Sequence, residues 1–304
     1  CDAVTGQAGN AVLLERLLAA NLFIIPLDDQ RRWYRYHRLF ADLLQNQLRR
    51  VHPQVVKELH QRASAWYESQ NFPAEAIEHA FSAGDFAHVV RLLELYLWAL
   101  LNQVDARRVE AWMNALPAEW RDYSPRISLG FAWMHLLRSN FAQVTLYLKQ
   151  AESALERMPS ASRETRAMQA ECLALQSNLS QAQGKPSESI EAAQRALHLN
   201  EPGNLRVAAL AYLGLGGAHR QAGNFDQAVD ALQNAIHASR TSGDLVTGML
   251  AVAHLTLMSL QYGRLRFAAA TAMQAIEWLE ENSDIAPPPI VGAVFGVLGW
   301  VHYE

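Results

Sequence analysis

From Leu210 to Ile236 the chain reads LAYLGLGGAHRQAGNFDQAVDALQNAI, with apolar and small residues spaced by three and four on either side of a polar turn. Tyr212, Leu215 and Gly216 share one face before the turn, and Ala228, Leu232 and Ala235 share one face after it. That spacing predicts two antiparallel helices, since residues three and four apart lie on the same side of a helix. Small residues at Gly216, Ala228 and Ala235 let the two axes approach closely, and Tyr212, Leu215, Phe225 and Leu232 fill the space between them. Gly223 sits where the first helix must stop, in a position that suits the left-handed conformation.

The unit recurs. Gln183-Gly184-Lys185-Pro186 precedes Ile190, Ala193, Ala196 and Leu197, and Tyr262-Gly263-Arg264 precedes Phe267, Ala268, Ala272, Ala275 and Ile276. The turn glycines at 184, 223 and 263 are 39 and 40 residues apart, and Leu298–His302 repeats the pattern of Leu215–His219 after 83 residues. Recurrence in phase predicts an all-α solenoid of helical hairpins, similar to tetratricopeptide repeats and coiling as a right-handed superhelix. The period exceeds the roughly 34 residues of the standard motif, so longer helices or linkers are expected.

The first 50 residues follow another pattern. Val12, Leu13, Leu17 and Leu18 predict a helix from about Asn10 to Ala20 with Asn10 as its cap. Leu22–Leu27 is a short apolar run, Asp28–Arg31 a turn, and Arg32–His37 alternates aromatic and polar residues with the period of a strand. Helix followed by hairpin predicts a small winged-helix domain. Helices then follow from His37 to about Arg50 and from Pro53 to Glu68, the second with Val56, Leu59, Ala63 and Trp66 on one face. Asn71-Phe72-Pro73 breaks the pattern, and Gly84 is the turn of the next hairpin. Extra helix is expected within Val104–Pro125, regular hairpins from Arg126 onward, a polar connector at Met158–Ser162 and an extended linker at Asp284–Pro289. The expected division is residues 1–50 for the C-terminal part of the winged helix, 51–125 for a helical arm, and 126–304 for the repeats. The first residue is not Met and Gly299–Glu304 falls inside the first helix of a further hairpin, so the chain reads as part of a longer protein.

Trp33-Tyr34-Arg35-Tyr36-His37-Arg38-Leu39-Phe40-Ala41-Asp42-Leu43-Leu44 resembles the large LuxR-type, MalT-like transcriptional activators of bacteria. Cys1–Gly6, Asn21–Phe23, Pro26–Asp29, His60–Tyr67, Ala74–Ala80 and Ala83–Phe86 extend the resemblance over roughly the first 95 residues. The resemblance implies a cytoplasmic switch protein in several parts. An ATP-binding module of the STAND class, ending in the winged helix, precedes an arm and a repeat-built sensor, and a LuxR-type helix-turn-helix follows. ATP is then expected in the preceding module, DNA only at the following domain, and self-association when an inducer binds. The alternative is a repeat scaffold for a protein or peptide, unrelated to transcription.

Composition narrows the chemistry. Of 304 residues half are hydrophobic and 18% charged, with a net charge of −4, which does not mark the whole chain as a nucleic-acid or membrane binder. The longest apolar run, Ile290–Val301, is too short to cross a bilayer. Cys1 and Cys172 cannot form a disulfide framework, which fits a reducing compartment. Gly184-Lys185-Pro186-Ser187 lacks the leading glycine of a phosphate loop, since Leu179 stands there, and Gly214-Leu215-Gly216-Gly217 follows no strand. The eleven histidines show no metal-ligand spacing and no nucleophile elbow is present, so no catalysis, metal or cofactor is expected within these residues.

Two surfaces remain. Residues Arg31–Arg62 are basic: Arg31, Arg32, Arg35, Arg38, Arg49, Arg50, Lys57 and Arg62 against Asp42 and Glu58 give 8 − 2 = +6. With Trp33, residues Arg31, Arg32, Arg35 and Arg38 are the candidate surface for docking the ATPase module, with nucleic acid as the other reading. The second surface is a ligand groove along the first helices of the hairpins. By phase it would hold Arg126, Trp133, Glu171, Asn178, Gln181, Arg220, Trp300 and Tyr303, a mixture of aromatic and hydrogen-bonding groups suited to a sugar-like or peptide ligand.

Overall fold

In a computed structural model, residues 1–103, 106–159, 162–282 and 291–303 are described. The Asp284–Pro289 linker lies outside them, as do residues 160 and 161 of the polar connector. The chain divides into two compact units, Cys1–Tyr96 and Leu97–Glu304.

The first unit opens with α1 (Asp2–Thr5), α2 (Asn10–Ala19), β1 (Ile24–Pro26) and β2 (Tyr34–Tyr36), followed by α3 (Arg38–Val51), α4 (Pro53–Ser69) and α5 (Pro73–Ala83). The strands pair antiparallel, Ile24 opposite Tyr36 and Pro26 opposite Tyr34. Asp28 holds the connecting turn by accepting the backbone N–H groups of Arg32 and Trp33 at 2.8 and 3.0 Å. Asn10 is not the cap that the pattern suggests. Gly9 precedes the helix, and it is the Asp2 carboxylate that accepts the backbone N–H groups of Gly9 and Asn10 and the Asn10 amide. Those hydrogen bonds hold Asp2 below its ordinary value, the Asn10 side chain contributing most.

The helix α6 (Phe86–Gln103) carries the division between the units. The second unit continues with α7 (Ala106–Ala115) and α8 (Ala118–Arg121), the extra helices expected before the hairpins. Four hairpins then follow: α9 (Pro125–Leu137) with α10 (Phe141–Leu155), α11 (Arg163–Ala182) with α12 (Pro186–Leu199), α13 (Leu205–Gln221) with α14 (Phe225–Ser242), and α15 (Leu245–Gln261) with α16 (Leu265–Glu281). The helix α17 (Val291–Tyr303) follows them.

One turn geometry closes every hairpin. Asn71, Gly84, Ser139, Gly184, Gly223 and Gly263 all have positive φ. In each case the next residue donates its N–H to a carbonyl five residues back, as Asn224 does to His219 at 2.9 Å and Lys185 to Ser180 at 2.9 Å. Proline at the first helical position of α4, α5, α9 and α12 restarts the chain where no N–H is needed. Side-chain oxygens of Ser124, Ser162 and Asp244 cap α9, α11 and α15.

Small residues set the helix spacing. A Cβ on Gly216 would lie 2.6 Å from Cγ of Leu232 and 3.2 Å from its backbone nitrogen, so α13 and α14 are in near-backbone contact there. Ala228, Leu232 and Ala235 are fully buried, with Tyr212 and Phe225 packed against them. Leu215 is only half-buried, and Leu213 supplies the core leucine instead. The first helices form one layer, α9 against α11, α11 against α13, α13 against α15 and α15 against α17. Each second helix packs between its own first helix and the next, as α12 does between α11 and α13. Successive first helices therefore present one continuous face, on which a ligand surface can be built.

Candidate functional site

Glu171, Asn178 and Gln181 lie along α11, and the structure gives each a separate task. Glu171 is 2% exposed and pairs with Arg206 at the start of α13, Nη2 to Oε2 at 2.6 Å. The Arg206 guanidinium lies 3.8 Å from the ring centroid of Trp98. The Trp98 indole N–H and Oε1 of Glu171 are buried without a protein hydrogen-bond partner. This corner thus offers one donor and one acceptor beside a flat cationic stack, which suits a hydroxyl or water as guest.

Asn178 faces no open groove. Its amide donates to the carbonyls of Ala174 and Leu210, both at 2.8 Å, and so ties α11 to α13. Trp133 is also taken up in packing, 6% exposed within the cluster that runs from α9 to α13. Both belong to the structural support of the layer. Periodicity put them on the inner face because the same phase serves contact between repeats. Arg126 is half-buried on α9. Trp300 and Tyr303 fall within α17, but their side chains are outside the described set.

Gln181 reaches across to α13 at Gly217. A Cβ on Gly217 would meet Cδ of Gln181 at 2.9 Å, and the Gln221 amide donates to the Gln181 carbonyl at 2.9 Å. Arg220, one turn beyond Gly217, is half-buried, and its Nε is buried without a partner. His254 of α15 faces it. Burial, and then the Arg220 charge, push the imidazole down from 6.5 to about 4. His254 did not stand out in the sequence, where it is one histidine in an apolar helix.

Away from that face, Glu152, Leu155, Cys172, Leu173, Arg195 and Leu199 line an open cavity of about 400 Å³ between α10, α11 and α12. Burial and the neighbouring Glu152 push the Cys172 thiol up, so it stays protonated and unreactive. Among the described residues no group of three or more His, Cys, Asp or Glu could hold a metal ion, and no helix is long and apolar enough to cross a membrane.

In the first unit Arg31, Arg32, Arg35 and Arg38 are all exposed. Trp33 is 42% exposed, and its edge packs on Trp66 and Phe72 at centroid distances of 6.1 Å. Arg35 and Arg38 line a shallow cavity of about 450 Å³ with Ile25, Tyr36 and Asp42. Among the described residues no ion pair involves these four arginines, which flank the aromatic anchor along the chain. Sequence spacing gave no hint of the His60–His79 contact across the α4–α5 hairpin, Nδ1 to Nδ1 at 2.9 Å, with Tyr67 stacked on His79. Burial lowers both imidazoles.

The family model for the MalT winged helix domain matches residues 1–56, and the model for the MalT-like TPR region matches residues 170–304. The chain is MalT-like. Among relatives, the HTH-type transcriptional regulators MalT of Yersinia enterocolitica and Yersinia pestis are each 27% identical over 279 residues, covering 92% of this chain and 31% of theirs. The MalT-like chain thus spans about a third of the length of these curated relatives. A solved STAND protein with a tetratricopeptide repeat sensor, from Pyrococcus horikoshii, superposes with a TM-score of 0.57 at 14% identity, covering 91% of this chain and 47% of that one. That likeness bears on the fold. In the MalT-like chain β1 and β2 lie within the winged-helix match, and α11 to α17 lie within the TPR match.

Proposed function

We propose that this chain is the signal-sensing and regulatory region of a bacterial LuxR-type, MalT-like transcription activator. Residues 1–50 belong to its winged helix, 51–125 to its arm and 126–304 to its sensor. The layer of first helices binds an inducer or protein partner, and occupancy controls ATP-dependent self-association of the whole protein. ATP binds in a module outside this chain, and DNA is read by a separate helix-turn-helix. The exposed Arg31, Arg32, Trp33, Arg35 and Arg38 dock the ATPase module. The observation that carries this reading is the presence of both MalT-type matches in one chain whose first helices form a continuous layer.

Thermal-shift screening of the chain against oligosaccharides, metabolites and peptides tests it. A saturable rise in Tm with a small molecule is the expected result. Stabilisation by peptides alone would favour the second reading, a scaffold for protein partners, which Leu137 and Leu257 support by standing 46% and 44% exposed on first helices. The coding sequence on either side supplies an independent check. Absence of an upstream nucleotide-binding loop or of a downstream helix-turn-helix would rule out the transcription-activator reading.

A further inference from the structure

Several arginines of the second unit are met internally by a carboxylate, a carbonyl or an aromatic face. Arg138 makes two hydrogen bonds of 2.7 Å to Glu110, and Arg206 is held by Glu171 and Trp98. Arg240 lies over Trp278 and donates to the Gln274 carbonyl, and Arg264 lies over Phe225. Arg220 is treated differently. It is half-buried, its Nε is buried and unpartnered, and among the described residues no carboxylate lies within ion-pair distance. A guanidinium taken partly out of water with no counter-charge is destabilising until something anionic meets it.

Its surroundings fit that role. Across the α13–α15 contact stands His254, whose Nδ1 is also buried and unpartnered. Arg220 is the charge that acts on His254, and among the described residues no acid offsets it. From α11 the Gln181 side chain covers Gly217, one turn before Arg220. Three consecutive first helices therefore bring an amide, a guanidinium and an imidazole to one stretch of the layer. A neutral hydroxyl could accept one hydrogen bond here but would leave the charge uncompensated. An oxyanion meets both needs, because a turn of the Arg220 side chain offers Nε and one Nη together as a two-pronged donor.

We propose that Arg220 and His254 form an oxyanion-binding subsite on the first-helix layer, taking a carboxylate or phosphate group of the sensed ligand. This rests on the sensor reading above and gives its ligand a chemical class. Gln181 is the neutral donor at the rim.

Isothermal titration of the chain at constant ionic strength tests the subsite, with sodium phosphate, sodium succinate and a neutral oligosaccharide as probes. Phosphate and succinate distinguish the two sources of oxyanion. At least one of them is expected to bind saturably to the native chain. Arg220→Gln should weaken that binding tenfold or more, His254→Gln several-fold, and Arg220→Lys less than Arg220→Gln. Arg195→Gln, on the exposed face of α12, should leave it unchanged. Circular dichroism confirms folding of each variant. Absence of saturable binding by both anions, equal binding by Arg220→Gln, or an equal loss in Arg195→Gln overturns the proposal. Neutral oligosaccharides or peptides binding equally to native and Arg220→Gln chains, with no anion binding, would sink the subsite and leave the sensor reading standing. Binding by no probe and no hit in the wider screen would remove both.

Discussion

Gly216→Ala is the substitution that most sharply tests the packing of the hairpins. The added methyl would sit 2.6 Å from Cγ and 2.8 Å from Cδ2 of Leu232, and 3.2 Å from the Leu232 backbone nitrogen. Leu232 is fully buried between Ala228 and Ala235, so its side chain has no free direction in which to move, and the helix α14 must shift with it. Overpacking of this kind costs up to about 3 kcal/mol. Against it stands the helix-propensity gain of Gly to Ala, about 1 kcal/mol. The expected net loss is therefore about 2 kcal/mol, and with about 2–4 °C per kcal/mol for a unit of this size Tm should fall by roughly 4–8 °C. Thermal unfolding followed by circular dichroism reads it. Gly296→Ala in α17 is the internal control, because among the described residues nothing lies within 4 Å of its added Cβ and the propensity gain is what remains. Leu232→Ala should cost less in the Gly216→Ala background than alone, since it removes the clash. If Gly216→Ala were as stable as the native chain, the near-backbone contact of α13 with α14 would be refuted.

Other outcomes follow from the same structure. Ser139→Gly should stabilise by up to about 1 kcal/mol in denaturant titration, because Ser139 holds φ 55 where all the equivalent turns but that at Asn71 use glycine. Arg206→Met should destabilise by about 3 kcal/mol by stranding the Glu171 carboxylate, with Glu171→Met added to it recovering most of the loss. His60, His79, His135, His219 and His254 all have lowered values, so the unfolded chain takes up protons near 6.5 while the folded chain does so only at lower pH. Stability should thus be flat above about pH 7 and fall from pH 6.5 downward, His254 alone contributing roughly 3 kcal/mol of that loss by pH 4. Tm measured from pH 8 to 5 checks this, and His254→Gln should flatten the curve; an unchanged slope would contradict the burial of that imidazole.

The hairpins were legible because their signals are local. Gly184, Gly223 and Gly263 each end a first helix in the left-handed conformation, and Pro53, Pro73, Pro125 and Pro186 each start a helix. The candidate groove was less legible, because one phase of a first helix serves both open surface and contact with the next repeat. Gln181 and Arg220 keep exposed area, whereas Asn178 at the same phase is spent on the Ala174 and Leu210 carbonyls. Leu213 rather than Leu215 enters the core for the related reason that a buried helix packs on more than one side. The Glu171–Arg206–Trp98 cluster and the His60–His79 contact join residues from different helices, with no spacing rule to announce them. Asp2 displaced Asn10 as the cap of α2 because α1 folds its carboxylate back over that helix start.

Hydrogen-exchange mass spectrometry of the chain, with and without whichever compound raises Tm in the screen, tests the sensing layer most directly. Ligand-dependent protection is predicted along the first helices, in residues 163–182, 205–221 and 245–261, and centred near Gln181, Arg220 and His254. Protection confined to the second helices, residues 186–199, 225–242 and 265–281, would contradict a ligand surface built on the first-helix layer.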